Sequence, residues 1–145
     1  MEKITLKGRG VTSGAAEGEA LVTKEAFGFC HGLEPTTGLV SDEKHEWLGQ
    51  SVKGKVMVYS RGKGSTGGGL YILEAVRLGN APSAIINLET DPVIAGGFIM
   101  AKLLYDKEIP VIDSLEQDPV DIIRTGDRVK VDANNGIIEI YRLNS

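Results

Sequence analysis

The segment Ser60-Arg-Gly-Lys-Gly-Ser-Thr-Gly-Gly-Gly69 sets two cations, Arg61 and Lys63, and two hydroxyls, Ser65 and Thr66, among glycines. Glycines let backbone amides approach a ligand closely. Such a turn suits two chemistries: holding an anion, or holding a serine in its alkoxide form as a proton acceptor. Both need a scaffold that aims the turn. Lys55-Val-Met-Val-Tyr59 before it reads as a buried strand, and Leu70 to Leu78 after it carries apolar residues at helical spacing. A turn between a strand and a helix lies at the carboxyl end of a sheet, where α/β folds bind ligands. The helix also points its positive end there.

Other named motifs compete for the same region. Gly62-Lys-Gly-Ser-Thr-Gly67 fits the dinucleotide pattern GxGxxG, with Glu89 as a candidate ribose acid. The long stretch before it, and too little chain after it for a second mononucleotide half, weigh against that reading. Gly49-Gln-Ser-Val-Lys-Gly-Lys55 resembles a P-loop, but Val56 holds the required Ser/Thr position and the segment precedes its strand. The stretches 95–102, 108–111 and 125–132 resemble the swivelling phosphohistidine domain of phosphoenolpyruvate-using enzymes. Phe98, Ile99 and Met100 stand where its histidine belongs, and no histidine follows His45. Phosphotransfer is therefore excluded, while the swivelling fold stays open. A swivelling module that only binds a nucleotide or an anion, without catalysis, is the alternative of another class.

The remaining elements complete the scaffold. Ile4 to Lys7 and Glu19 to Thr23 read as short strands, and residues 32–38 as a surface loop. Gly79-Asn80 and Pro82 end the first helix. Ala84 to Asn87 is a second buried strand. Asp91-Pro92 opens a helix from about Val93 to Leu104, Ile109 to Ile112 is a strand, and Asp118-Pro119 starts one helical turn. Arg128 to Asp132 and Ile137 to Tyr141 form a terminal hairpin around Asn134-Asn135-Gly136. Strand, helix, strand, helix, strand implies parallel pairing with right-handed crossovers. The expected fold is α/β, one domain over residues 1–145, with antiparallel β structure from both ends.

Composition narrows the function. With 145 residues and a net charge of −4, the chain lacks the basic footprint of a nucleic-acid binder. No apolar run is long enough to span a membrane, and no secretory segment opens the chain. A cytoplasmic location is the expectation, and the lone Cys30 agrees with it. One cysteine and two histidines, His31 and His45, make neither a four-ligand zinc site nor an iron–sulfur site. Cys30 is read as a small buried hydrophobe, His45 as a surface or loop residue, and Trp47 as an anchor for a loop or interface. Glu17 and Glu19 should alternate with apolar neighbours on a half-exposed strand.

With these residues in view, the chain resembles the small subunit of the aconitase X family. The resemblance runs through Ala16-Glu-Gly-Glu-Ala-Leu-Val22, Gly32-Leu-Glu-Pro-Thr-Thr-Gly38, His45, Gly54-Lys-Val-Met-Val58, the glycine-rich turn, Ala81-Pro-Ser-Ala-Ile-Ile86 and Gly96-Gly97. It implies a swivelling β/β/α fold, with a mixed sheet and the terminal hairpin. It implies a large aconitase-like partner subunit carrying a 4Fe–4S cluster, with no metal bound by this chain alone. It implies that Ser65 is the proton acceptor of a hydro-lyase. Arg61, Lys63, Gly64 and Thr66 are then the substrate-binding candidates, with the choice of cation open. Thr66 either orients Ser65 or caps the helix. The turn Gly-Lys-Gly-Ser-Thr-Gly-Gly-Gly is similar to the archaeal branch, which dehydrates (R)-5-phosphomevalonate in a modified mevalonate pathway. The bacterial branch, which dehydrates cis-3-hydroxy-L-proline, is the alternative. Glu34 stands where the family usually has Asp.

Overall fold

The computed structural model describes residues 2–63 and 67–142. Four short parallel strands form its centre: the end of β3 (Ala15–Val22), β6 (Val56–Val58), β7 (Ala84–Ile86) and β8 (Val111–Asp113). Every residue of β6, β7 and β8 is buried. Such continuous burial is what a parallel strand covered on both faces requires. Alternate side chains feed two apolar clusters. Met57, Tyr59, Ile85 and Val111 join α1 (Gly68–Arg77) and α2 (Pro92–Tyr105) on one face. Val56, Val58, Ala84, Ile86 and Ile112 turn to the other face. There they meet Leu6 of β1 (Glu2–Lys7), Val129 and Val131 of β9 (Arg128–Asp132), and Ile138 and Ile140 of β10 (Ile137–Arg142). An antiparallel β leaf, a parallel sheet and a helix layer are thus stacked in that order.

β3 serves both sheets. Its first half, Ala15 to Glu19, pairs antiparallel with β9, while Ala20 to Val22 pair parallel with β6. The full strand order is β1-β10-β9-β3-β6-β7-β8-β2, with β2 spanning Arg9–Thr12. β1 and β2 lie at opposite ends of that order, yet only Gly8 separates them in the chain. The sheet must curl until its edges meet. At that junction Gly8 donates its backbone N–H to Gly136 across 2.9 Å. β2 carries no strand periodicity in the sequence, because it has four residues, one of them Gly10, and follows directly on Gly8.

The helix signals hold. Asp91 caps α2 by accepting the Val93 N–H at 2.7 Å, with Pro92 behind it. Asp118 caps α3 (Pro119–Ile122) in the same way. Gly79, at φ +77°, ends α1 with its N–H bonded to Val76 and that of Asn80 to Ala75. The helices touch at Gly69 and Gly97, where a Cβ on Gly97 would lie 3.1 Å from the Gly69 Cα. Within the expected loop at 32–38 the structure has strand content: β4 (Leu33–Glu34) pairs with β5 (Leu39–Val40). Burial of Leu33 and Val40 fastens this ribbon to the core.

Asp113 ties the end of β8 to β2 and to the segment after β7. Arg9 donates to its two oxygens at 2.9 Å each, the Thr90 N–H at 3.1 Å and the Ser114 hydroxyl at 3.0 Å. Burial pushes this carboxyl up, but the hydrogen bonds from Arg9, Thr90 and Ser114 outweigh it and hold the group below the usual aspartate range. A depressed folded value stabilises the fold above the unfolded one, near 3.9, and that contribution is lost as pH falls through the folded value. Asp113→Asn should lower stability at neutral pH by about 2 kcal/mol. It should also flatten the acid limb below about pH 4. Urea midpoints against pH for both proteins test this.

Candidate active site

The described part of the glycine-rich turn is pinned from three sides. The backbone carbonyl of Ser60 accepts the N–H groups of Leu88 and Glu89, at 3.1 and 3.3 Å. The Ser60 hydroxyl donates to the Asp118 carboxylate, which also caps α3. On the far side, Phe27 donates its N–H to the Arg61 carbonyl at 3.2 Å and accepts from the Lys63 N–H at 3.1 Å. Residues from the carboxyl ends of β6, β7 and β8 therefore converge, as binding sites in open α/β sheets do.

Gly28 permits the last of these contacts. A Cβ there would sit 2.5 Å from the Lys63 backbone oxygen and 3.2 Å from its Cγ. Gly28→Ala must force the backbones of Gly28 and Lys63 apart and so disturb the turn. The expected result is a loss of turnover of roughly tenfold to a hundredfold, since displacements near 1 Å carry such costs. Far-ultraviolet circular dichroism should stay unchanged while kcat falls.

The two cations reach to different loops. Arg61 meets Glu89 at 3.3 Å, and both side chains are largely exposed, at 65% and 72%. Lys63 meets Asp42 at 2.8 Å, and there the carboxylate is only 18% exposed. The Lys63 hydrogen bond, then the Lys44 backbone N–H, hold the Asp42 carboxyl below the ordinary aspartate range. Arg61, Gly62, Glu89, Thr90, Asp91 and Pro92 line an open cleft of about 330 Å³ between the turn and the start of α2.

Ser65, Gly64 and Thr66 lie outside the described residues, so of the five expected site residues the structure locates Arg61 and Lys63. Asp42 was missed. It carries a local turn signal, since it accepts the Lys44 N–H at 3.0 Å, but nothing in the sequence couples it to Lys63. Glu89 pairs with Arg61. His45 lies in a loop, one of its two expected places, but not at the surface: it is 4% exposed, edge-on to Phe27 and tilted against Trp47, with Nδ1 accepting the Trp47 N–H. The aromatic cluster draws it in. Trp47 does anchor its loop, buried and donating from Nε1 to the Val22 carbonyl at 3.2 Å. Cys30 is half-buried rather than buried. Glu17 and Glu19 point outward from β3 to Arg128 and Lys55. His31 takes φ +62° and shares a 2.9 Å hydrogen bond with Tyr71 of α1.

The chain's own donors do not fit an iron–sulfur cluster. Cys30 is its one cysteine, and among the described residues no three His, Cys, Asp or Glu side chains converge as metal ligands.

A parallel sheet backed by an antiparallel leaf, with a glycine-rich turn leading into the first helix, defines a swivelling β/β/α domain. A family model described as the aconitase X swivel domain matches residues 5–140. The chain belongs to that family. It is 43% identical to the phosphomevalonate dehydratase small subunit of Methanosarcina acetivorans, over 98% of this chain and 94% of that one. It is 42% identical to the protein of the same name from Archaeoglobus fulgidus, over 91% and 95%. The crystal structure of Thermococcus kodakaraensis aconitase X in its holo-form superposes with a TM-score of 0.86, at 38% identity, covering 96% of this chain and 99% of that one.

Proposed function

We propose that this chain is the small subunit of a two-subunit hydro-lyase that dehydrates (R)-5-phosphomevalonate to trans-anhydromevalonate 5-phosphate in an archaeal-type mevalonate pathway. The observation that carries this is near-full-length likeness to archaeal relatives named phosphomevalonate dehydratase small subunit. Ser65 accepts the proton from the carbon beside the substrate carboxylate. The electron pair of that carbon–hydrogen bond forms the new double bond while the neighbouring carbon–oxygen bond breaks, so the tertiary hydroxyl departs as hydroxide and, with the proton, accounts for the water released. A serine is a weak base at neutral pH and needs cations, backbone dipoles and exclusion of water to act. Lys63, Arg61 and the N-terminus of α1 belong to the same turn. Arg61, Lys63, Gly64 and Thr66 form its substrate-binding face.

The other half of the site is the large subunit's. A 4Fe–4S cluster would be held there, because this chain offers one cysteine. An exposed apolar stripe on α2, which starts beside the cleft, gives that subunit a surface to cover. No described helix is long and apolar enough to cross a membrane, and a cytoplasmic enzyme is part of this reading. The test is dehydration by the chain mixed with its large subunit, with phosphomevalonate and cis-3-hydroxy-L-proline as competing substrates. Turnover of hydroxyproline alone would overturn the substrate assignment.

A further inference from the structure

We propose that Asp42 is a positioning residue that clamps the Lys63 ammonium, so that this cation organises the turn while Arg61 remains the one able to exchange its partner for substrate. The inference rests on the catalytic reading of the turn. Lys63 is held at both ends. Its backbone N–H is bonded to Phe27, and its Nζ to Asp42 at 2.8 Å. In sequence it stands two residues ahead of Ser65.

The clamp is itself braced. One Asp42 oxygen takes Lys63, and the other accepts the Lys44 N–H. The Asp42 carbonyl accepts the His45 N–H at 3.1 Å. His45 and Trp47, buried at 4% and 3% exposure, root this loop in the same aromatic cluster as Phe27. The residue that grips the Lys63 main chain and the loop that grips its ammonium are thus packed together. A cation fixed in this way supplies a preorganised field and needs no reorganisation during reaction. Arg61 contrasts with it: an ion pair between two exposed side chains contributes little and gives way easily. Its planar fork suits a phosphate or carboxylate better than the compact ammonium does.

The experiment measures kcat and KM of the assembled two-chain enzyme carrying Asp42→Asn, Lys63→Met, both together, and Arg61→Gln. Asp42→Asn should lower kcat about tenfold with little change in KM, because it acts through an oriented cation. In the Lys63→Met background it should add nothing, since the group it positions is gone. If Lys63→Met leaves too little turnover to measure, Lys63→Gln serves as the background. Asp42→Glu should recover part of the loss. Arg61→Gln should raise KM instead. Thermal unfolding of the Asp42→Asn chain should change little, because the amide oxygen still accepts the Lys44 N–H and the Lys63 side chain it releases is half-exposed. Wild-type kcat in Asp42→Asn, or a loss that persists undiminished without Lys63, overturns the clamp. A Ser65→Ala control separates the two ideas: if that variant stays active the catalytic reading fails, and if it is inactive while Asp42→Asn is normal, only the clamp fails.

Discussion

Ser65→Ala should lower the turnover of the assembled enzyme by about a hundredfold or more while leaving the complex intact, the scale on which loss of a general base is felt. A hundredfold is about 2.7 kcal/mol of barrier, which one well-placed proton acceptor can supply. The substitution deletes a single oxygen from a glycine-rich turn. The described ends of that turn are fixed by other groups: Ser60 by Leu88, Glu89 and Asp118, and Lys63 by Phe27 and Asp42. The scaffold should therefore outlast the loss. On the proposed reading KM should change little, because Ser65 takes the proton while Arg61, Gly64 and Thr66 hold the substrate. Thr66→Ala should cost less than Ser65→Ala if Thr66 only orients Ser65 or caps the helix. Steady-state dehydration, with gel filtration to verify assembly, reads both effects. Near wild-type turnover of Ser65→Ala in an intact complex would remove the catalytic role and leave the turn an anion site.

The parallel centre was legible because burial on both faces forces continuous apolar runs. Val56 to Val58 and Ala84 to Ile86 stand out for that reason, and Asp91-Pro92 and Asp118-Pro119 mark helix starts by local capping chemistry. β2 and the β4–β5 ribbon were not legible. Their strands are two to four residues long and exist because the sheet closes on itself and because Leu33 and Val40 find the core. At the site, the turn announced itself through composition. Asp42 did not, because it meets Lys63 from 21 residues away through a loop whose path depends on Trp47 and His45 packing. The loop position of His45 was legible but its burial was not, for the same reason: a polar segment shows no sign that Phe27 and Trp47 converge on it.

The chain on its own should show no measurable dehydration of phosphomevalonate, and adding its large subunit should restore full turnover. On the proposed reading this chain supplies the base alone, which is half of the reaction: it has one cysteine, and among the described residues no three His, Cys, Asp or Glu side chains converge as ligands for a cluster. The surface agrees with a missing partner. Along α2, Leu103 is 72% exposed, Leu104 58%, Ile99 47% and Met100 42%, and Leu70 of α1 is 72% exposed. Apolar side chains gathered in this way on one helix mark a surface made to be covered. α2 begins at Pro92, which lines the cleft beside Arg61, and the stripe occupies its last turns, about 10 to 18 Å further along the axis, a span that one large subunit can cover together with the turn. Leu103→Asp should therefore weaken complex formation at least tenfold, because it places a charge in a desolvated contact. It should leave the isolated chain's melting temperature unchanged, because the side chain it replaces is already in solvent. Titration of the variant with large subunit, read as recovered turnover and by gel filtration, separates the two contributions. Activity that returns at high partner concentration places the defect in assembly. Full dehydration by the purified chain alone would sink the two-subunit reading, and wild-type assembly of Leu103→Asp would move the interface off α2.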